Sequence, residues 1–273
     1  MVPGPGPQVS KDCNAVLARD TLAPECECRV EFLKYNRPYF DNFASLLLHH
    51  FFNFTMGTIT KKPATSKIIA EYLLEIGAVK FNVENPFTWV SGIRSPIYCD
   101  NRIINSKVKV RKAVIDEFTR IISENYLQDI NTIAGVATGG IPYGVLTADR
   151  LDLPFIYVRE KRKEHGLKKI VEGEFSAGDK VVLIEDHIST GISSRKAVQG
   201  LREEGLVLIS LISIMTYGFA EADKQFREDN IEHTSICDLD TVLEVAEKNG
   251  RLSSSDVKTI LDFRESPATW KGI

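Results

Sequence analysis

Long apolar runs are missing from this chain. No segment reaches the roughly 18–20 uninterrupted apolar residues that a membrane helix requires. The nearest approach, residues 43–54 (FASLLLHHFFNF), is short and contains His49 and His50. It lies far from the N-terminus, with no basic lead-in and no small-residue cleavage pattern, so it does not read as a signal peptide. Cysteine is sparse. Cys13, Cys26, Cys28, Cys99 and Cys237 are odd in number and scattered, which is the pattern of reduced thiols in a cytoplasmic protein rather than of a disulfide framework. No second pair at ligand spacing joins Cys26 and Cys28, so a zinc site is not indicated. An excess of one charge is also lacking. The formal net charge is −3, which argues against a protein whose main task is to coat nucleic acid. There are no internal repeats, no Walker A loop and no G-x-G-x-x-G turn.

What is present is enough apolar residue, 43% of 273, to build a sizeable core. Residues 1–55 open with a Pro/Gly-rich stretch and read as an irregular extension. The expected compact domain covers residues 56–273. It starts with a helix capped by Thr65 or Ser66, with Ile68, Ile69, Tyr72, Leu73 and Ile76 at helical spacing and Gly77 at the C-terminal cap. Val110, Val114, Phe118, Ile121 and Ile122 form the apolar face of a second helix. Residues 132–137 (TIAGVA) read as a buried strand, followed by Thr138-Gly139-Gly140 and a helix with Pro142 in its first turn. Strands are expected at 155–158, 180–185 and 206–216, helices at 191–204 and 253–264. This alternation implies βαβ units and a mainly parallel sheet covered on both faces.

The segment with the strongest chemistry is VVLIEDHISTGISS, residues 181–194. Four apolar residues predict a buried strand, and in open α/β sheets ligands collect at the carboxyl ends of strands. Glu185 and Asp186 fall there, and paired acids at such a place are costly unless cations or hydrogen-bond donors meet them. The following Ile188, Ser189, Thr190, Gly191, Ile192 and Ser193 offer hydroxyls, a glycine and a run of amides at a helix start, a cradle for one phosphate. Ser-Thr-Gly alone would fit an ordinary capped turn. Joined to two acids, it fits a ligand with both hydroxyls and a phosphate, such as a ribose 5-phosphate.

Residues 185–193 resemble the phosphoribosyl-diphosphate (PRPP) signature of the type I phosphoribosyltransferases. Residues 87–102 (FTWVSGIRSPIYCDNR), 135–144 (GVATGGIPYG), 157–173 (YVREKRKEHGLKKIVEG) and Thr216-Tyr217-Gly218 are similar to the orotate phosphoribosyltransferases, specifically the short bacterial type. The resemblance implies the type I phosphoribosyltransferase fold, a mainly parallel sheet flanked by helices with a small N-terminal hood. It implies transfer of the phosphoribosyl group of PRPP to orotate. The alternatives it leaves are transfer to another base and a non-catalytic PRPP-binding regulator. It assigns PRPP binding to Arg159, Lys163, His165, Glu185, Asp186, His187, Ile188, Ser189, Thr190, Gly191, Ile192 and Ser193. Catalysis falls to Lys163, His165 and Asp186, and a contact with orotate to Ser189. A Mg²⁺ ion near Asp186, held through water, is implied as cofactor. A homodimer that shares the cationic loop 159–169 between subunits is implied as the assembly, with neither nucleic acid nor membrane as partner. Val90 and Gly139 stand where some relatives carry lysine, and Arg94 is the candidate to supply the missing charge. His187 replaces a more typical aliphatic residue; beside the PRPP contact that the resemblance implies, the plainer reading is a partly buried loop residue without catalytic function.

Overall fold

A computed structural model describes residues 63–161 and 169–272. Residues 1–62, and with them the extension and the expected domain start, lie outside the described residues, as do Lys163 and His165. Helix α1 spans Pro63–Glu75. It begins two or three residues before the expected cap, because proline suits a helix's first turn. Ser66 is therefore inside the helix, buried, with its hydroxyl facing Thr241 at 3.5 Å. The helix does end as anticipated: Gly77 takes φ +69° and Ala78 N–H returns to the Leu73 carbonyl, a glycine-dependent stop.

Four short strands follow, too brief to carry a periodic signal. β1 (Val79–Phe81) pairs antiparallel with β4 (Ile97–Cys99), and β2 (Phe87–Thr88) with β3 (Arg94–Ser95). They form the hood. A 3₁₀ turn, Asn101–Ser106, leads into α2 (Val108–Asn125), whose five expected apolar residues are all buried. The chain continues through β5 (Thr132–Val136), α3 (Ile141–Leu151), β6 (Phe155–Val158), β7 (Val171–Glu172), β8 (Lys180–Ile188), α4 (Ile192–Glu203), β9 (Val207–Thr216), α5 (Ala220–Glu228), β10 (His233–Asp238), α6 (Leu239–Lys248) and α7 (Ser254–Glu265). Ser253 and Asp256 open α7 with a reciprocal capping box.

The main sheet has the order β10-β9-β8-β5-β6-β7, parallel except for the β6–β7 edge. Side chains alternate across it. Val182 and Ile184 of β8 join one core with α1, α2, α3, α6 and α7, while Val181 and Leu183 join a second with α4 and α5. That explains why these strands are apolar throughout. After β5 the chain moves outward to β6, and from β8 it moves outward the other way to β9 and β10. The order therefore reverses between β5 and β8, and a crevice opens at their carboxyl ends. Among the described residues, no helix is long and apolar enough to cross a membrane.

Candidate active site

Strand β8 runs three residues further than expected. β9 is long enough to keep pairing with it, so Glu185 lies opposite Ser213, His187 opposite Met215 and Ile188 opposite Thr216. The two acids are thus the last-but-three and last-but-two residues of the strand, and alternation sends them to different environments. Glu185 is buried and accepts a hydrogen bond from the Ser194 hydroxyl on α4 at 3.2 Å and from Asp186 N–H at 3.1 Å. Burial, with the adjacent Asp186 charge, pushes its carboxyl well above the ordinary carboxylate range. Asp186 accepts from His187 N–H at 2.9 Å, and its other oxygen lies 3.2 Å from His187 Nδ1. Burial works against its charge, but the hydrogen bond and charge of His187 outweigh it and hold the carboxyl below its usual value. His187 answers in kind: burial opposes its protonation, yet Asp186 raises its pKa. His187 thus sets its ring beside the Asp186 carboxylate, a contact that favours protonation of the ring and ionisation of the acid together.

The loop after β5 meets this pair. A Cβ built on Gly139 would stand 2.6 and 2.7 Å from the Asp186 carboxylate oxygens, so the missing side chain is what lets the acid lie against the loop. Gly140 caps α3, and its N–H reaches the Val136 carbonyl at 2.8 Å. On the other side, Gly191 takes φ +73° at the N-cap of α4. Few non-glycine residues tolerate that conformation.

Together these loops and the hood enclose a cavity of about 440 Å³. Asp186 and His187 line it from β8, Ser189 from the loop that follows, Thr138 and Gly139 from the β5 loop, and Trp89, Val90, Tyr98, Asp100 and Arg102 from the hood segment. Tyr217, just past β9, meets Trp89 edge-on at 5.2 Å. Asn101 is fully buried and ties hood to sheet: its amide donates to the Asp186 carbonyl at 2.8 Å, and its own carbonyl accepts from the Tyr143 hydroxyl of α3.

Not every expected residue comes here. Ile188 is buried in the core behind the loop, leaving only its backbone near the site. Thr190 and Ile192 line a neighbouring apolar groove with Phe219 and Ala222. Arg159 sits just past β6 and pairs with Glu172 at 3.1 Å, outside the cavity lining. Arg94 donates to the Lys271 carbonyl at 3.3 Å, directed to the C-terminal tail. Trp89, Asp100, Asn101 and Arg102 were given no roles by sequence reasoning, although all lie in the segment singled out as a motif. Their contacts reach as far as Asp186, 85 residues from Asn101, and Phe263, whose ring meets that of Trp89, and no local pattern reports such contacts. Among the described residues no three His, Cys, Asp or Glu side chains converge as a ready metal cage.

The phosphoribosyl transferase domain family matches residues 107–244. An orotate phosphoribosyltransferase of Bacteroides thetaiotaomicron is 46% identical over 204 residues, covering 75% of this chain and 96% of that one. One from Porphyromonas gingivalis is 44% identical over 97% of its length and 75% of this chain. The crystal structure of orotate phosphoribosyltransferase from Aeropyrum pernix aligns with a TM-score of 0.58 at 30% identity, over 68% of this chain and 99% of that one. The structure of Leishmania donovani UMP synthase aligns with a TM-score of 0.63 at 26% identity over 73% of this chain, which spans 42% of that longer protein. With a matching domain over half its length and relatives of this identity matched almost end to end, the chain belongs to the orotate phosphoribosyltransferase family.

Proposed function

We propose that this chain transfers the phosphoribosyl group of PRPP to orotate, forming orotidine 5′-monophosphate and diphosphate in pyrimidine synthesis. The observation that carries the reading is the contact of the Asp186 carboxylate with Gly139, because it sets the acid proposed for ribose directly against the Thr138–Gly140 turn, whose amides at the start of α3 make a second anion loop for the diphosphate, in one cavity. The bond between orotate N1 and ribose C1 forms as the bond from C1 to diphosphate breaks; the electron pair of the broken bond leaves with the diphosphate, and the proton of N1 passes to solvent. Glu185 and Asp186 bind the ribose hydroxyls. The amides of Ser189, Thr190, Gly191, Ile192 and Ser193 take the 5-phosphate at the positive end of α4, with His187 and the Ile188 backbone alongside. Ser189, which also lines the cavity, touches orotate. Lys163 and His165, with Arg159 at the loop's base, neutralise the departing diphosphate. A Mg²⁺ ion suits the hard oxygens of Asp186, where together with substrate and water oxygens it would offset diphosphate charge. The functional assembly is a homodimer sharing loop 159–169, acting in the cytoplasm, with the catalytic unit beginning near Met56.

Consumption of orotate by the purified protein, dependent on both PRPP and Mg²⁺, tests the reaction. Inertness towards orotate with turnover of a purine base would overturn it. Lys163→Ala is expected to lower turnover by orders of magnitude without loss of folding, and a native mass of a single chain would remove the shared-loop assembly.

A further inference from the structure

The cavity must receive anions, yet its fixed charges are mostly negative. Asp100 and Asp186 line it and Glu185 lies behind. Among the described lining residues, Arg102 is the one with a permanent positive charge. It sits in the 3₁₀ turn after β4, and Asp100, the N-cap of that turn, grips it at several points. Asp100 accepts the Arg102 backbone N–H at 3.2 Å, Nε at 2.7 Å and Nη2 at 3.0 Å. Nη1 makes no hydrogen bond among the described residues. The Arg102 side chain is 65% exposed, and an ion pair that open contributes about 0–1 kcal/mol to stability, too little for fold stability to be its purpose.

We propose that Arg102 is a substrate-binding, specificity-determining residue whose unpartnered Nη1 edge receives the carboxylate of the pyrimidine, with Asp100 fixing the guanidinium in place. The inference rests on the reaction proposed above. The phosphates of PRPP already have partners in the two amide loops and the cationic loop. The base carboxylate has no other permanent cation among the described lining residues. Arg102 also shares its side of the cavity with Trp89 and Tyr98, and Tyr217 adds a third ring, giving the flat apolar walls that suit a planar heterocycle. A guanidinium held on one edge by a carboxylate is pre-oriented for a second, so little side-chain freedom is lost when the substrate arrives.

The test compares binding of orotidine 5′-monophosphate and uridine 5′-monophosphate, which differ only in the carboxylate, by titration calorimetry on wild type, Arg102→Ala and Arg102→Lys. Wild type should prefer the carboxylated nucleotide. Arg102→Ala should lose about ten- to hundredfold in affinity for it, the worth of a charged hydrogen bond, while affinity for the uridine nucleotide and the melting temperature stay put. Arg102→Lys should recover part of the preference. Steady-state kinetics should show KM for orotate rising while KM for PRPP holds. A preference that survives in Arg102→Ala, or a rise confined to the KM for PRPP, would overturn the assignment. Failure of wild type to consume orotate with PRPP would instead remove the reaction on which it rests.

Discussion

Two neighbouring glycines, Gly139 and Gly140, are expected to fail in different ways when each is replaced by alanine. Neither has a positive φ, so each is required for space rather than for backbone conformation. At Gly139 the added methyl would stand 2.6 and 2.7 Å from the Asp186 carboxylate oxygens, which belong to a side chain that can rotate away. Rotation breaks the bond from His187 N–H at 2.9 Å and the 3.2 Å approach to His187 Nδ1. Turned away, the carboxylate also no longer meets the ribose hydroxyls it is proposed to bind, and hydrogen bonds to charged groups contribute about 1.5–3 kcal/mol each. With partial relaxation of the loop, about 2–4 kcal/mol of transition-state binding is at stake, or roughly 30- to 1000-fold in kcat/KM. The displaced carboxylate can exchange its protein partners for water in the cavity and no core atom has to move, so the melting temperature should fall less than in Gly140→Ala.

At Gly140 the methyl would run into the Ile184 carbonyl and stand 2.9 Å from Val136 N. Both are backbone atoms of central strands β8 and β5 and have nowhere to go. Overpacking of this kind costs about 1–3 kcal/mol or more, and a domain of this size loses about 2–4 °C per kcal/mol. The assay is a pair of measurements on each variant, kcat/KM for PRPP and thermal melting. Near-normal kcat/KM in Gly139→Ala would show that the carboxylate does not need its place against the loop. A melting loss as large as that of Gly140→Ala would show that the loop, and not the acid, gives way.

Asn101→Leu leaves the Asp186 carbonyl without its buried partner, and should cost about 1–3 kcal/mol of stability together with a fall in kcat/KM; an unchanged melting curve would refute the link between hood and sheet. Burial raises the phenol pKa of Tyr126, Tyr143 and Tyr217 above the ordinary value. The unfolded chain loses these protons near pH 10 while the folded chain keeps them, so stability is full below about pH 10 and falls as pH rises past it, by up to roughly 1.4 kcal/mol per pH unit per tyrosine. Denaturant midpoints at about pH 9 and 11 measure this, and equal midpoints would contradict it. A chain that starts at Met56 should retain both melting temperature and kcat/KM; loss of either would show that residues 1–55 belong to the working unit.

The parts of this site that could be read from the sequence are those where local chemistry and long-range position coincide. β8 is apolar because both its faces are covered, so VVLI marks a central strand, and whatever follows a central strand next to the reversal of strand order faces the crevice. Glu185, Asp186 and the hydroxyl-rich loop were legible for that reason, as was the Thr138–Gly140 turn after β5. The boundaries slipped where tertiary contact overrode the local signal. Ser66 could serve as a cap, but Pro63 starts α1 earlier and packs Ser66 against α6. The acids could end β8, but β9 carries the pairing on to Ile188. The hood was the least legible region, since strands of two and three residues have no period to detect and their place is set by what they touch. Asn101 illustrates the difference. In sequence it is one polar residue in YCDNR, between Asp100 and Arg102. In the fold it is fully buried, bonded to a carbonyl 85 residues away, and holds the hood side of the cavity to the strand that carries Asp186. The resemblance singled out the segment that lines the cavity without showing its contacts, because those arise only where the hood meets the β5–β8 crevice. The positive charge sought at Arg94 illustrates this further. Arg94 faces the C-terminal tail, and the cation that lines the cavity is Arg102, held there by Asp100.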